Sequence, residues 1–434
     1  MMGFINLNLW AKQGTIKFPD EAEVPFWGFA TTAGGEPQFP GPEIRARVGD
    51  EIIITLNNNL SEFVSLVFPG QESIPSPVKD NGIFVSYNTH AAPGGSVNYT
   101  FTATRPGVFL YESGTSPEKQ VTMGLYGAIV IHPKGIDNPV HPDYKTAYGS
   151  NTGTYFDVEK VLILGEVDSR FNAQIGAGNQ FNMLGFEPDH WVINGRSFPH
   201  TVLPDQSDFL VNQPVSSKIN AATGQKVLLR CVNAGSQNHT FRLEGITARV
   251  AAVDSWPLKP RQGSIDATYL KNTITIASGE TYDLIFTAEA EGQYYLHDRD
   301  LHHLYNVTQF PGGMATRLDV TPPEPVELPE APSDLTCRAS WRPLAVHLNW
   351  KDRSTNELGF VLERKTGTEH FQTIAVLSTP NLTNYTDYNV YPLMTYTYRI
   401  RAYNSAGFSG YSNRCSAIPC PIPPFYNPWM ARSN

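Results

Sequence analysis

The apolar residues of this chain fall in short strand-like runs, and no long helical periodicity interrupts them. Glu51-Ile52-Ile53-Ile54-Thr55-Leu56, Val97-Asn98-Tyr99-Thr100-Phe101-Thr102, Val161-Leu162-Ile163-Leu164 and Thr273-Ile274-Thr275-Ile276 are representative. Clusters of Gly, Pro, Asn and Asp separate the runs, supplying the backbone conformations that tight turns need. Many short strands at this spacing predict an all-β chain of sandwiches or barrels.

The pattern also repeats weakly. Ala92-Pro93-Gly94-Gly95-Ser96 precedes a strand, then come Arg105-Pro106-Gly107-Val108-Phe109-Leu110-Tyr111 and Gly124-Leu125-Tyr126-Gly127-Ala128. In the same order, Ala277-Ser278-Gly279-Glu280-Thr281 precedes a strand, then come Glu291-Gly292-Gln293-Tyr294-Tyr295-Leu296-His297 and Pro311-Gly312-Gly313-Met314. Two copies of one sandwich explain the order.

With 434 residues, two to four domains are expected at about 100–200 residues each. Residues 136–155 are polar and rich in Gly, Pro and Asn, so they read as a linker between a first domain, 1–135, and a second, 156–322. Residues 323–331 are Pro-rich and read as a semi-rigid spacer before a third domain, 332–420. The tail, 421–434, is again Pro-rich, and its Phe425, Tyr426, Trp429 and Met430 suit docking on a neighbour.

Composition narrows the functional classes. Only 17% of residues are charged, which argues against long charged helices. The net charge is −9 without a basic run, so nucleic acid is excluded as a partner. No stretch is apolar enough for a transmembrane helix. Met1 to Trp10 lacks the basic start and apolar run of a secretory signal. The chain is then either cytosolic or numbered from a processed start.

Several motifs resemble known families. Phe39-Pro40-Gly41-Pro42-Glu43-Ile44 with Val48-Gly49-Asp50 resembles the opening of a multicopper oxidase or copper nitrite reductase domain. Tyr111 to Pro133 resembles the copper-bearing end of such a domain, and Trp191 to Pro199 the start of a second. Leu348-Asn349-Trp350-Lys351-Asp352, Gly359 to Arg364 and Leu393 to Asn413 resemble a fibronectin type III module. The implied fold is two cupredoxin-like Greek-key β-sandwiches followed by a fibronectin type III sandwich. Modules of the last kind imply an extracellular or cell-surface location and favour the processed start.

The resemblance also says where copper should sit. A blue copper site needs a Cys thiolate, two His and usually a Met. In the first domain the family's Tyr-His-Cys is Tyr111-Glu112-Ser113, Gln120 stands near the second His, and Leu125 near the Met, with Met123 close by. In the second, His239 fits the first His, and the His-Cys-His stretch is replaced by His297-Asp298-Arg299, followed by His302, His303 and Met314. Asp298 stands for the Cys. A trinuclear oxygen-reducing cluster takes eight His, mostly as His-X-His pairs, and none of the 11 His here is so spaced. His239, His297, Asp298, His303 and Met314 are therefore the candidate ligands for copper or another divalent metal. The competing expectation is a polar cluster with Arg242 and Arg299 pairing Asp298, Asp300 or Glu244. His90, His132, His190 and His200 read as scattered surface or turn residues.

Cys231 lies in the apolar run Val227 to Val232 and reads as a core thiol. Cys337 has two candidate disulfide partners, Cys415 and Cys420, and the bridge would suit an oxidising compartment. Two functions follow as expectations. The first is a structural or interaction protein on an oxidase scaffold that has lost its copper, with protein partners or self-assembly. The second is a copper-dependent oxidoreductase with one atypical mononuclear site in the second domain.

Overall fold

The computed structural model describes residues 3–139, 141–259 and 265–419. The chain forms two compact units, Met1–Pro323 and Glu324–Asn434.

The first unit holds two sandwiches. In sandwich 1 the main strands are β1 (Phe4–Lys17), β2 (Glu23–Ala30), β3 (Ile44–Arg47), β4 (Glu51–Asn58), β5 (Ser96–Thr102), β6 (Gly107–Glu112) and β7 (Tyr126–His132). One sheet runs β2-β1-β4-β5 and the other β6-β7-β3. In sandwich 2 they are β8 (Val158–Val167), β9 (His190–Ile193), β10 (Ile219–Ala222), β11 (Lys226–Asn233), β12 (His239–Leu243), β13 (Ala248–Val253), β14 (Trp256–Pro257), β15 (Thr273–Ile276), β16 (Thr281–Thr287), β17 (Gly292–Asp298) and β18 (Ala315–Thr321). One sheet runs β9-β8-β11-β16-β13-β14 and the other β10-β18-β17-β12-β15.

The internal repeat has a topological counterpart. β1 runs parallel to β4, which pairs antiparallel with β5; β8, β11 and β16 do the same. β3 runs parallel to β7, which pairs antiparallel with β6; β10, β18 and β17 follow suit. Alternation explains the pairing. In β4 Ile52, Ile54 and Leu56, at every second position, are buried while Glu51, Ile53 and Thr55 between them are half exposed.

The sandwiches are joined by apolar packing and by a buried ion network. Phe26, Phe39, Leu110, Tyr126 and Val130 of sandwich 1 share a core with Val161, Ile163, Val192 and Val232 of sandwich 2. The Asn194-Gly195 turn presses on this seam. Gly195 has φ +77°, and a Cβ there would lie 2.0 Å from the Phe39 carbonyl oxygen, so no other residue fits. Arg230 on β11 is fully buried, donating to Glu159 Oε1 (2.7 Å) and Asp283 Oδ2 (2.6 Å). Glu159 also meets His132 Nε2 (3.0 Å) and Arg45 Nη1 (2.8 Å) from sandwich 1. Burial works to raise the Glu159 carboxyl pKa, and Arg230, His132 and Arg45 outweigh it, holding it below the usual range.

Three expectations change here. His132 is not a surface residue but part of this network. His190 is buried too, stacked on Phe18 at 3.9 Å between Asp20 (3.1 Å) and Asp189 (2.9 Å). And the polar stretch 136–155 is not merely solvated: Ile136, Ala147 and Tyr148 pack with Leu228, Ala251 and Ile285 on the outer face of sandwich 2.

The second unit is a sandwich of its own. Its strands are β19 (Ser333–Trp341), β20 (Leu344–Lys351), β21 (Gly359–Thr366), β22 (Gln372–Leu377), β23 (Asn384–Asp387), β24 (Tyr396–Asn404), β25 (Gly407–Phe408) and β26 (Cys415–Ala417). One sheet runs β19-β20-β23; the other runs β22-β21-β24-β25, with β26 also on β24. Trp350, Phe360, Leu362 and Tyr398 fill the core, and the Tyr398 hydroxyl donates to Asp387 Oδ2 (3.0 Å). Cys337 and Cys415 are bonded, tying the first strand to the last. Cys420 and the aromatic tail lie outside the described residues. Cys231 is buried, which pushes its thiol pKa up. Peptide mapping without reduction is therefore expected to recover Cys337 linked to Cys415, with Cys231 alkylated only after unfolding; a Cys337–Cys420 peptide would contradict the pairing.

Candidate metal centre

In sandwich 1 the chain leaves β6 at Ser113, which is fully buried, as is Gln120 at the end of the short helix α1 (Pro117–Gln120). Ser113 Oγ donates to Gln120 Oε1 (2.6 Å), and Gln120 Nε2 donates to the Phe63 carbonyl (2.8 Å). Beside them the hydroxyls of Ser65, Ser86 and Thr115 form a closed triangle at 2.9 Å. Met123 and Leu125 belong to the apolar core. Glu112 is not in this cluster: it lines the cleft towards sandwich 2, where burial raises its carboxyl pKa. Hydroxyls and an amide bonded to each other are a poor donor set for copper, which favours thiolate and imidazole.

Sandwich 2 differs. His239 opens β12, Asp298 closes β17, and His303 sits in the 3₁₀ turn Leu301–Leu304. All three are buried, and one ligand atom from each lies within 4.8 Å of the others. Among the described residues it is the one such group of metal-binding side chains. Asp298 Oδ2 accepts from His239 Nδ1 (2.8 Å) and from His303 Nδ1 (2.7 Å). Its Oδ1 accepts from the backbone N–H of Asp300 (2.9 Å) and Thr240 (3.3 Å). Burial alone would raise the Asp298 carboxyl; the two imidazoles and the Asp300 amide reverse that and hold it well below the usual carboxylate range.

The cluster extends to residues not singled out from the sequence. Glu166 Oε2 lies 3.3 Å from His239 Nε2, while its Oε1 accepts from the Ser236 amide (2.5 Å) and hydroxyl (2.7 Å). Trp191 stacks on the His303 ring at 4.6 Å. Burial tends to lower the His239 pKa, but Asp298 and Glu166 on its two nitrogens raise it to about 9. His239 is thus an imidazolium between two carboxylates at neutral pH. Glu166 had a signal in the sequence, a lone acid ending the apolar strand Val161 to Val167.

Other expected members are elsewhere. His297 follows the strand alternation to the opposite face, where Nε2 is 3.3 Å from Glu244 Oε1. Arg242 pairs the same glutamate (2.8 Å), and Arg299 is exposed; neither arginine pairs Asp298. Met314 is buried in the apolar core and meets the cluster through its backbone: its carbonyl accepts from the Asp298 amide (3.0 Å) and its amide donates to the His303 carbonyl (2.7 Å). His302 is exposed.

Models of the family described as multicopper oxidase match residues 15–135 and 168–317, together more than half of the chain. The chain belongs to the multicopper oxidase family. A putative laccase-9 of Oryza sativa subsp. japonica is 27% identical over 311 residues, covering 69% of this chain and 48% of the relative. An L-ascorbate oxidase of Brassica rapa subsp. pekinensis is 24% identical over 327 residues, covering 72% and 50%. The chain thus spans about half the length of the curated relatives it matches. Among solved structures, a blue copper oxidase from Nitrosomonas europaea aligns with a TM-score of 0.56 at 21% identity, covering 73% of this chain and 86% of that one. A copper nitrite reductase from the same organism aligns at 0.52 and 22%, covering 73% and 94%. These two share the fold. The multicopper oxidase family implies copper, and His239, Asp298 and His303 offer two imidazoles and a carboxylate without a thiolate. That set does not fit a blue copper ion; its chemistry suits Zn(II) or Cu(II) held by nitrogen and oxygen.

Proposed function

We propose that this chain is an extracellular structural or interaction protein built on a multicopper oxidase scaffold, without the family's blue and trinuclear copper. The observation that carries the reading is one atom. Asp298 Oδ2 receives both Nδ1 atoms at hydrogen-bond distance, so the carboxylate itself bridges the two imidazoles that a metal would otherwise bridge. In sandwich 1 the Ser113–Gln120 hydrogen bond supports the same conclusion. A scaffold that keeps its packing but not its ligands retains surfaces rather than chemistry. We read residues 332–420 as a fibronectin type III module, supported by the three- and five-stranded sheets, the core Trp350 and the Tyr398–Asp387 bond. The Cys337–Cys415 bond suits an oxidising, extracellular compartment. Partners on this reading are other proteins or further copies of the chain.

A second reading is a copper-dependent oxidoreductase with a mononuclear ion at His239, Asp298 and His303, favoured by the buried convergence of three ligand atoms. Elemental analysis and a visible spectrum of protein purified without added metal decide between them. The expected result is far less than one copper per chain, no thiolate–copper band, and no oxygen consumption with phenolic or ascorbate substrates. Stoichiometric copper lost on His303→Ala would overturn the first reading.

A further inference from the structure

Sandwich 2 sends one hairpin, β13 to β14, onto sandwich 1. It turns through Asp254 and Ser255, both left-handed (φ +48° and +59°), a conformation disfavoured for residues with a Cβ. Three features hold it. Ser255 Oγ donates to the Val108 carbonyl (2.6 Å). Arg105 donates to the carbonyls of Ser255 (2.9 Å), Asp254 (3.2 Å) and Gly70 (3.2 Å). Gly107, at φ +146°, leaves room that a Cβ would remove, since it would lie 2.2 Å from Ser255 Oγ.

The result is a fixed aromatic platform. The Arg105 guanidinium lies between Phe109 (4.7 Å) and Trp256 (4.5 Å), so the indole is oriented from one side. Trp256 nonetheless stays 64% exposed. Beside it is a cavity of about 480 Å³ whose walls include Asp254, Ser278 and Glu280. Arg105 spends its donors on backbone carbonyls. Asp254 Oδ1 accepts from the Thr281 amide (3.1 Å) and Glu280 Oε2 from the Ala277 amide (2.9 Å). The second oxygen of each carboxylate has no partner among the described residues and is free to accept.

We propose that this cavity is a carbohydrate subsite, in which an uncharged sugar ring stacks on Trp256 and its hydroxyls donate to Asp254 and Glu280. A sugar ring has an apolar C–H face and a rim of hydroxyl donors, which matches an exposed indole beside unpaired acceptors. Uronic or sulfated sugars fit poorly because the free polar groups are carboxylates. The site lies apart from His239, Asp298 and His303, and gives the interaction reading a ligand class.

The test is calorimetric titration of the full chain with linear oligosaccharides of glucose, xylose, mannose and N-acetylglucosamine, with oligogalacturonate as the charged comparison. At least one uncharged oligosaccharide should bind saturably, at least tenfold more weakly to Trp256→Ala, with Trp256→Phe between. Glu280→Ala should also weaken binding, and carries the test if Trp256→Ala does not fold. No saturable binding at millimolar concentration, equal binding to a folded Trp256→Ala variant, or tighter binding of oligogalacturonate would each overturn the proposal. Binding here would leave the copper question untouched, since metal content is measured separately.

Discussion

Asp298→Ala is expected to lower the unfolding free energy of the first unit by about 3–5 kcal/mol, the loss that follows removal of one partner from a buried ion pair. The substitution strands four donors at once: the Nδ1 atoms of His239 and His303 and the backbone amides of Asp300 and Thr240. His239 would remain beside Glu166, with no acceptor for its other nitrogen. Chemical denaturation of the full chain should show the transition of residues 1–323 moving to lower denaturant while that of residues 324–434 stays in place. Asp298→Asn, which keeps an acceptor oxygen, should cost less. A loss below about 1 kcal/mol for alanine, the size of an ordinary hydrogen bond, would mean that the cluster is not the buried ionic unit described here. Asp298→Cys asks the converse question. It restores a thiolate between two imidazoles, and added Cu(II) is then expected to give an intense visible thiolate band absent from the parent. A colourless Asp298→Cys protein that still folds would argue against Asp298 occupying the ligand position.

The second large effect is a loss of stability in mild alkali. His239 has its folded-state pKa raised from an ordinary 6.5 to about 9 by Asp298 and Glu166, against the opposing pull of burial. A raised pKa stabilises the fold fully below 6.5, and that contribution is lost as the pH climbs through 9. Across that window it amounts to about 3 kcal/mol. The carboxylates are the same interactions seen from the acid side. Asp298 and Glu166 are held below their ordinary range, so their contribution is present above it and lost as the pH falls through the depressed values. The expected profile for the first unit is a plateau from about pH 4 to 6.5 with a decline to 9. His239→Gln should flatten the alkaline decline at the cost of overall stability. An alkaline slope unchanged in that variant would place its origin elsewhere.

Much of the architecture was legible in the residues. Strand alternation in Glu51 to Leu56 and turn-forming Gly and Pro gave an all-β chain, and the repeated order of turn, aromatic strand and Gly-rich return matched two sheets of the same connectivity. His239, Asp298 and His303 were legible as candidates because they stand where the resembling family's motif places copper ligands. The misplaced histidines have two causes. Whether a side chain on a strand faces inward depends on register, and one residue decides it. His297 and Asp298 are neighbours, yet one faces Glu244 and the other His239. His132 and His190 looked like turn residues because their burying partners, Glu159 in the other sandwich and Phe18 just after β1, lie far from them along the chain.

The sequence by itself determined the class of fold, the two-fold repeat and the family, and it spaces none of its 11 histidines as His-X-His. These are properties of residue type and local order. Tertiary structure alone decided what surrounds the candidate ligands. It set Asp298 between two Nδ1 atoms rather than opposite an arginine, brought Glu166 to His239 across 73 residues, and held Trp256 exposed over a cavity made by both sandwiches. Hydrogen bonds and charges act over a few ångströms. Only the folded chain brings residues so far apart in sequence within that reach.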